Sequence, residues 1–251
     1  QNVLVGEVWL ASGQSNMEMA LKQGVPGEWN TGVTNWEKEI AEADYPDIRL
    51  FRIPRRTAGM PLNDVAASWE ICSPSTVGDF SAVAYFFGEE IHNRLEVPVG
   101  IIQSAWGGSR IEPWTPPVGF EENQSLEDIR QRISDANEQY RVEVEARIDT
   151  IEVWVNQSKT AIEEGFEIPL PPEFPLHPLD GFSEPTSMYN GMIHPIVPFS
   201  IQGAIWYQGE SNRMDGLTYL DKIRALISSW RTIWDLGDFP FYYVQLAPYR
   251  Y

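Results

Sequence analysis

The stretch VLVGEVWLASGQSNMEMAL, residues 3–21, joins an apolar run to a short polar turn and a second apolar segment. The run from Val3 to Ala11 is almost continuously apolar, which is typical of a strand buried on both faces of a parallel sheet. The turn begins at Ser12-Gly13, and Asn16 to Leu21 favours a helix. We therefore predict a central strand that ends at Ser15, where α/β sheets hold reactive groups.

Two roles are open to Ser15 on the local sequence alone. Serine commonly caps a helix at such a turn. It also serves as a nucleophile where unpaired N–H groups at a helix start stabilise an oxyanion. The nucleophile-elbow pattern G-x-S-x-G fails here, because Met17 stands where the second glycine belongs. The pattern therefore disfavours a typical α/β-hydrolase.

Composition limits the classes of ligand. The chain has 251 residues, enough for one α/β domain with a full core, and 36 acidic against 18 basic residues give a formal charge of −18. Such a surface repels nucleic acid and anionic lipid, so we expect neutral or small ligands and no nucleic-acid or membrane partner. The single cysteine, Cys72, excludes an internal disulfide and a cysteine-based metal site. We expect no metal and no cofactor.

The rest of the chain alternates between strand and helix patterns. Strands are predicted at residues 48–53, 97–103, 200–208 and 239–246, and helices at residues 81–95 and 217–234. Residues 55–80 are rich in turn formers and are predicted as a loop with at most a short strand. Together with the first strand, these elements predict a three-layer α/β/α domain with a five-stranded parallel sheet.

A helical insertion, about residues 118–167, separates the third and fourth predicted strands. Residues 120–164 carry one apolar stripe at helical spacing, and a straight helix of that length would run about 65 Å at 1.5 Å per residue. It therefore either breaks near residues 134–137 into a hairpin or projects as an arm. We expect the stripe to pack on its own domain; homo-oligomerisation or a lid is the alternative. A proline-rich connection follows at residues 168–187.

Three predicted loops at the carboxyl ends of strands combine small residues with polar side chains. The first carries a hydroxyl, the second two glycines whose N–H groups approach a ligand closely, and the third an amide and a carboxylate. A nucleophile surrounded by hydrogen-bond donors is what acyl transfer requires. The loops are GQSNM at 13–17, SAWGGS at 104–109 and YQGESN at 207–212.

Five blocks of the sequence resemble the SGNH hydrolases and, more narrowly, the sialate O-acetylesterase-like carbohydrate esterases. They are GEVWLASGQSNMEM (6–19), IIQSAWGGSRIEPW (101–114), MYNGMI (188–193), GAIWYQGESN (203–212) and WRTIWDLGDFPFYYVQLAPY (230–249). The resemblance implies an SGNH, flavodoxin-like fold over residues 1–251. It also implies a serine carboxylic-ester hydrolase that removes acetyl groups from sialate or hemicellulose-type glycans through an acetyl-enzyme.

The same resemblance assigns the site residues. Ser15 is the implied nucleophile, and the implied oxyanion hole combines N–H groups of Ser15 and of Gly107 or Gly108 with the side chain of Gln208. The other implied pocket residues are Gln14, Asn16, Trp106, Glu210 and Asn212. A sugar platform is expected from Trp106, Trp114 or Tyr207.

One departure from the family concerns the base. The family takes it from a late D-x-x-H block, in which Asp orients the His that deprotonates Ser, and no such block occurs in this sequence. The family's amino-terminal β-domain is absent as well, so the chain resembles the central portion of a longer protein. His194 lies beside a family block and is the alternative base. Without a base, Ser15 is a poor nucleophile.

Two other functions stay open. A degenerate domain would bind acetylated glycans without hydrolysing them. Glycoside cleavage would need two of the carboxylates Asp79, Glu112 and Glu210 roughly 5–10 Å apart. The strong negative charge favours a neutral hemicellulose over an anionic sialoside as substrate. By family resemblance, the expected location is secreted or periplasmic.

Overall fold

The computed structural model describes residues 3–25, 30–121, 123–197 and 199–247, so the last two residues of the fifth family block, Pro248 and Tyr249, lie outside it. Within those ranges it contains six strands and five α-helices. The strands are β1 (Glu7–Gly13), β2 (Tyr45–Arg52), β3 (Trp69–Cys72), β4 (Val99–Ala105), β5 (Gly203–Tyr207) and β6 (Phe241–Tyr243). The helices are α1 (Ser15–Glu18), α2 (Trp36–Glu42), α3 (Ala82–Leu95), α4 (Glu127–Glu164) and α5 (Thr218–Trp234).

The six strands form one sheet in the order β3-β2-β4-β1-β5-β6. All neighbouring pairs are parallel except β2 and β3, which pair antiparallel at one edge. The predicted α/β class is confirmed, but the predicted strand count of five is wrong because Trp69–Cys72 adds a sixth strand. Four residues are too few to show a clear alternation inside a stretch rich in turn formers.

Helices cover both faces of the sheet, because alternate residues of β1 point to opposite sides. Trp9 and Ala11 pack in a core that α3 closes through Tyr85. Leu10 packs on the other face, in a core that α5 closes through Trp230. These two cores give the predicted three layers and hold β1 in the middle of the domain.

The last strand differs from its prediction. We expected a buried strand over residues 239–246, but β6 has only three residues and lies at the edge of the sheet. Tyr242 and Tyr243 are exposed. The aromatic run there resembles a core strand in sequence, because a tyrosine ring can be buried while its hydroxyl contacts water.

The insertion contains α4, one unbroken helix of 38 residues. At 1.5 Å per residue it is about 57 Å long, so the hairpin alternative is wrong. Its buried residues are Ile133 and Ala136 near the start and Ser158 and Ala161 near the end. Ile148, in the middle of the predicted stripe, is exposed. The expectation that the whole stripe packs on the domain is therefore wrong.

The proline-rich connection leads from the far end of α4 to the sheet. The Trp154 indole N–H on α4 donates to the Pro169 carbonyl oxygen at 2.8 Å. The rings of Tyr140 and His177 lie 4.4 Å apart, so part of this segment contacts the helix it has just left. In the described part of the chain, no helix is long and apolar enough to cross a membrane.

Candidate active site

Three loops leave the carboxyl ends of the central strands β4, β1 and β5, which lie side by side. The Gln14 N–H donates to the Tyr207 carbonyl oxygen at 3.0 Å, and the Trp106 N–H donates to the Gly13 carbonyl oxygen at 3.1 Å. Each outer loop is thus bonded directly to the first one. The structure brings together the predicted loops 13–17, 104–109 and 207–212.

Gly13 makes the sharp turn that ends β1. Its φ is +143°, a conformation that residues with side chains rarely adopt. A Cβ atom at this position would lie 2.2 Å from the carbonyl oxygen of Tyr207. Only glycine fits there, and the chain can then begin α1 at Ser15, two residues later.

Ser15 is half-buried at the first position of α1. An N–H group at that position has no acceptor within its own helix, and among the described residues the Ser15 N–H has none elsewhere. The neighbouring loop is close, since a Cβ built on Gly107 would lie 3.5 Å from the Ser15 Cβ. Ser15 and its free amide donor therefore lie against the start of the 107–109 turn.

The two glycines of the second loop have different environments. The Gly107 N–H donates to Glu18 Oε2 at 2.7 Å. Gly108 is exposed, and its N–H has no acceptor in the described ranges. Gly108 also has a φ of +78°, the left-handed conformation that favours glycine. Of the two N–H groups implied for an oxyanion hole, only the one at Gly108 is free in this structure.

Gln208 is buried and has no free donor. Its Nε2 group donates to the Ser109 carbonyl oxygen at 3.1 Å and to Asn212 Oδ1 at 2.7 Å. Its Oε1 accepts from the Tyr219 hydroxyl at 2.9 Å, and burial raises the pKa of that phenol to about 12. An oxyanion role for Gln208 would require one of the hydrogen bonds from its Nε2 group to break. In this structure the Gln208 side chain instead connects the second and third loops.

Two polar side chains of the first loop reach the third. Gln14 is buried, and its Oε1 accepts the N–H groups of Gly209 at 3.1 Å and Ser211 at 3.3 Å. Asn16 Nδ2 donates to Glu210 Oε1 at 2.5 Å. Glu210 Oε2 is a buried atom with no partner in the described chain. Gln14 therefore holds the loops together, and the Asn16–Glu210 bond joins the residue after Ser15 to the third loop.

A buried ion network lies behind these loops; we refer to Arg110, Glu112, Asp215 and Lys222 as the ion network. Lys222 Nζ lies 2.7 Å from Glu112 Oε1 and 2.6 Å from Asp215 Oδ2. Arg110 bonds both carboxylates as well. Asn212 Nδ2 donates to Glu112 Oε2 at 3.1 Å and to Asp215 Oδ2 at 2.8 Å. Asn212 is almost fully buried, so it joins the loops to α5 and does not line an open pocket.

The ion network keeps its four groups charged. Burial opposes ionisation of Glu112, but hydrogen bonds from Arg110, Lys222 and Asn212 lower the pKa of its carboxyl. Asp215 has the same balance, and its pKa is also lowered. Burial would lower the pKa of Lys222, yet its bonds to Asp215 and Glu112 raise it. Two negative and two positive charges therefore compensate one another inside the protein.

Aromatic side chains border the site unequally. Trp106 is half-buried, with Phe182 edge-on at 5.2 Å and the Arg55 guanidinium 5.8 Å from its ring. Trp114 is fully buried in the core, so the expectation that it stacks on a sugar is wrong. Tyr207 is partly buried against the α3 core. Trp106 is thus the platform candidate with an open environment, and Phe182 was not predicted beside it.

None of the three histidines contacts Ser15; each bonds a backbone group elsewhere. Nδ1 of His194 lies 2.8 Å from the Leu62 carbonyl oxygen, and Nδ1 of His92 lies 2.8 Å from that of Val97. His177 Nδ1 accepts the Leu179 N–H, and burial lowers its pKa. The carboxylates considered for glycoside cleavage also have separate partners: Lys22 for Asp79, the ion network for Glu112, and Asn16 for Glu210.

The sequence interpretation missed the residues that support the site. Glu18 and Arg55 were not predicted, although Glu18 stands one helical turn after Ser15 inside a family block. Arg110, Asp215 and Lys222 were missed because charged residues in loops and on amphipathic helices are usually solvated. The available signal for Arg110 and Asp215 was their position next to the second and third loops, whereas Lys222, within α5, had none. In the described ranges, no cluster of three or more His, Cys, Asp or Glu side chains forms a metal site.

Comparisons with known proteins identify the family to which the sequence is similar. The family described as "Carbohydrate esterase, sialic acid-specific acetylesterase" matches residues 5–150. The rat sialate O-acetylesterase is 29% identical over 265 residues, covering 99% of this chain and 44% of the rat protein. The human sialate O-acetylesterase is 28% identical over 263 residues, covering 98% of this chain and 40% of the human protein.

A solved structure is also similar. The crystal structure of a carbohydrate acetylesterase from Xanthomonas citri matches with a TM-score of 0.68 and 29% identity, covering 98% of this chain and 42% of that one. This chain thus spans less than half the length of these three proteins. The family match covers more than half of this chain and includes two of the three site loops. The chain therefore belongs to the sialic acid-specific acetylesterase family of carbohydrate esterases.

Proposed function

We propose that the protein is a serine esterase that removes O-acetyl groups from sugars, with Ser15 as the nucleophile. One observation carries the proposal. A half-buried serine lies at the carboxyl edge of the sheet, against the glycine loop, and two backbone N–H groups there, at Ser15 and Gly108, have no acceptor in the described part of the chain. The names of the relatives, sialate O-acetylesterases and a carbohydrate acetylesterase, support the same chemistry.

The chemistry follows from where charge develops. Ser15 Oγ attacks the acetyl carbonyl carbon and passes its proton to the base, and the carbonyl oxygen becomes an oxyanion. The bond between the acetyl carbon and the sugar oxygen then breaks, and the sugar oxygen takes the proton from the base as the acetyl-enzyme forms. The N–H groups of Ser15 and Gly108 donate to the oxyanion. Water then hydrolyses the acetyl-enzyme, releasing acetate and restoring the serine. Gln208 and Gln14 fix the loops through their own hydrogen bonds and do not enter this cycle.

The base is not among the histidines of this chain, since each bonds a backbone group elsewhere. The family resemblance assigns this role to an Asp/His block that the sequence does not contain. We therefore expect full activity only when a histidine is present next to Ser15.

The local charge favours a substrate that carries a carboxylate. A cavity of about 540 Å³ borders the site and is lined by Glu18, Arg52, Arg55 and Gln103, among others. The Arg52 guanidinium has no partner in the described part of the chain. Arg55 uses only its Nε, in a bond to Glu18. Despite the overall charge of −18, this wall presents free cationic donors, so we propose an acetylated acidic sugar over neutral hemicellulose.

The substrate choice is tested by a comparison of two esters. Arg52→Gln is expected to raise KM for an O-acetylated acidic sugar about tenfold, the effect of losing roughly 1.4 kcal/mol of binding. KM for acetylated xylan should stay within twofold. Equal changes for both substrates would assign Arg52 no role in recognising a carboxylate.

The serine mechanism is tested by acetate release from the protein at its natural length. Ser15→Ala should lower kcat at least about 1,000-fold, whereas Ser75→Ala, an exposed serine outside the site loops, should leave it unchanged. Equal rates for Ser15→Ala and the wild type would refute the mechanism. Glycan binding by calorimetry with no acetate released would instead identify a non-catalytic binding module. The hydrogen bonds that already engage the Gln208 side-chain amide favour this alternative.

Location and assembly belong to the same proposal. A secreted or periplasmic location rests on the family resemblance and is checked by fractionation of the native host. Homo-oligomerisation through α4 is supported by its exposed apolar residues Val142, Ile148 and Val153. Ile148→Asp should shift a concentration-dependent oligomer to monomer in sedimentation velocity. Ile133 is unsuitable for that test because it is buried.

A further inference from the structure

A buried carboxylate joins the helix of Ser15 to the glycine loop. The Glu18 side chain is only 6% exposed, and its Oε1 accepts from Arg55 Nε at 2.5 Å. Its Oε2 accepts the Gly107 N–H at 2.7 Å. Hydrogen bonds to an ionised acceptor are shorter and stronger than neutral ones, so the Gly107 peptide is held firmly in place.

The bond to Gly107 has a direct consequence for Gly108. With its own N–H bound to Glu18, Gly107 has none to offer to a substrate. The next N–H, at Gly108, is free and exposed. Because the two glycines are adjacent, fixing the Gly107 peptide also limits where the Gly108 N–H lies.

The spacing of Glu18 and Ser15 links the nucleophile to this donor. Both residues belong to α1, one helical turn apart, so their side chains share one side of the helix. A Cβ on Gly107 would lie 3.0 Å from Glu18 Oε2 and 3.5 Å from the Ser15 Cβ. One turn of helix therefore connects Ser15 to the carboxylate that holds the glycine loop.

We propose that Glu18 is a positioning residue, held by Arg55, that fixes the Gly107–Gly108 loop so that the Gly108 N–H donates to the oxyanion. The proposal rests on the esterase function proposed above. Glu18 touches neither the acetyl group nor the sugar; it acts through the loop. Displacing an oxyanion donor by about 1 Å costs on the order of 100-fold in rate.

The test separates positioning from simple stabilisation of the fold. Glu18→Ala should lower kcat about 100-fold with KM within twofold. Affinity for a methylphosphonate ester that mimics the tetrahedral oxyanion should fall in parallel with kcat. Glu18→Gln keeps an oxygen that accepts the Gly107 N–H, so it should restore kcat to within about tenfold of the wild type. If Glu18→Ala lowered only the stability of the fold, the enzyme that stays folded would keep both its kcat and its affinity for the analogue.

Glu90→Ala is the matched control, because Glu90 is a helical glutamate paired with Arg94 far from the loops. It should leave kcat and analogue affinity unchanged. If Glu18→Ala unfolds, Arg55→Gln decides, because it removes the donor that holds Glu18. Arg55→Gln should lower kcat and analogue affinity together, and wild-type values of both overturn the proposal.

The two proposals fail in different ways. Wild-type kcat in folded Glu18→Ala, together with an inactive Ser15→Ala, overturns the positioning role alone. An active Ser15→Ala overturns the esterase mechanism and the positioning role with it. A kcat loss in Glu18→Ala with unchanged analogue affinity also overturns the positioning role, because the oxyanion donor would then be intact.

Discussion

The carboxyl edge of the sheet and the helix α4 both carry many charged residues, but they use them in opposite ways. At the edge, Lys222 and Asp215 are buried together and bond across loops and a helix. Along α4, Arg141 pairs with Glu138 three residues away, and both side chains are exposed. Exposed pairs of this kind contribute little to stability. Charge therefore fixes geometry at the site, whereas on α4 it mainly keeps the helix solvated.

The same difference determines which region is sensitive to substitution. Removing one partner of a buried pair leaves an uncompensated charge, whereas removing one exposed charge leaves a group that water solvates. The loops behind Ser15 depend on the ion network through Arg110 Nη1, which also donates to the Ser211 carbonyl oxygen at 3.0 Å. We expect substitutions at the edge to disturb both stability and the site, and those in the middle of α4 to disturb neither.

The largest expected effect is at Lys222. Lys222→Met leaves Glu112 and Asp215 buried with only Arg110 to balance them, so the free energy of unfolding should fall by about 3–5 kcal/mol. Urea titration followed by tryptophan fluorescence measures it. Arg224→Met, on the exposed side of the same helix, is the control and should change it by less than about 0.5 kcal/mol. Similar values for both variants would mean that the ion network is solvated.

The second effect compares two isoleucines on α4. Ile133 is 7% exposed, whereas Ile148 is 48% exposed. Ile133→Ala should therefore lower the free energy of unfolding by about 2–4 kcal/mol, by lost burial and a cavity. At a concentration that keeps the protein monomeric, Ile148→Ala should change it by less than about 0.5 kcal/mol. Comparable losses at the two positions in the monomer would show that the middle of α4 packs on its own domain.

The sequence predicted the central fold because its signals are strong and local. The apolar runs of β1 and β4 and the amphipathic pattern of α5 each give the element within a few residues. The predictions failed where tertiary context decides. β3 is too short for a periodic pattern, and the stripe on α4 has an apolar pattern whether or not another surface covers it.

The site was predicted as a set of loops but not as a set of contacts. Ser15, Gly107 and Gly108 lie together because the strands that precede them are neighbours, which the α/β pattern implies. The partners of Gln208 and Gly107 could not be predicted, since each comes from a segment distant in sequence. Residue types indicate which groups can donate a hydrogen bond, whereas only the folded chain fixes which donors are already occupied.

Acid should destabilise the carboxyl edge of the sheet more than α4. The pKa values of Glu112 and Asp215 lie below their ordinary values of 4.5 and 3.8. A lowered folded-state pKa adds stability that is complete above the unfolded-state pKa and is lost as pH falls through the folded-state pKa. The network should therefore contribute fully above about pH 5, and unfolding free energy should drop below pH 4.

The matched experiment replaces carboxylates in the two regions. The double variant Glu112→Gln/Asp215→Asn should have a lower free energy of unfolding at pH 7 and a weaker dependence on pH between 5 and 2. Glu138→Gln, on the exposed face of α4, should keep the wild-type dependence. An unchanged acid dependence in the double variant would assign the acid sensitivity to other carboxylates.

The smallest expected effect lies where α4 meets the proline-rich connection. Trp154→Phe keeps an aromatic ring but removes the N–H that bonds the Pro169 carbonyl oxygen. One such bond contributes about 1 kcal/mol, and Pro169 lies at the surface, so the loss should loosen the connection without unfolding the domain. Limited proteolysis should cut residues 166–176 several times faster. Tyr140→Phe removes a hydroxyl that bonds nothing in the described ranges, so an equal acceleration there would show that the hydrogen bond does not hold the segment.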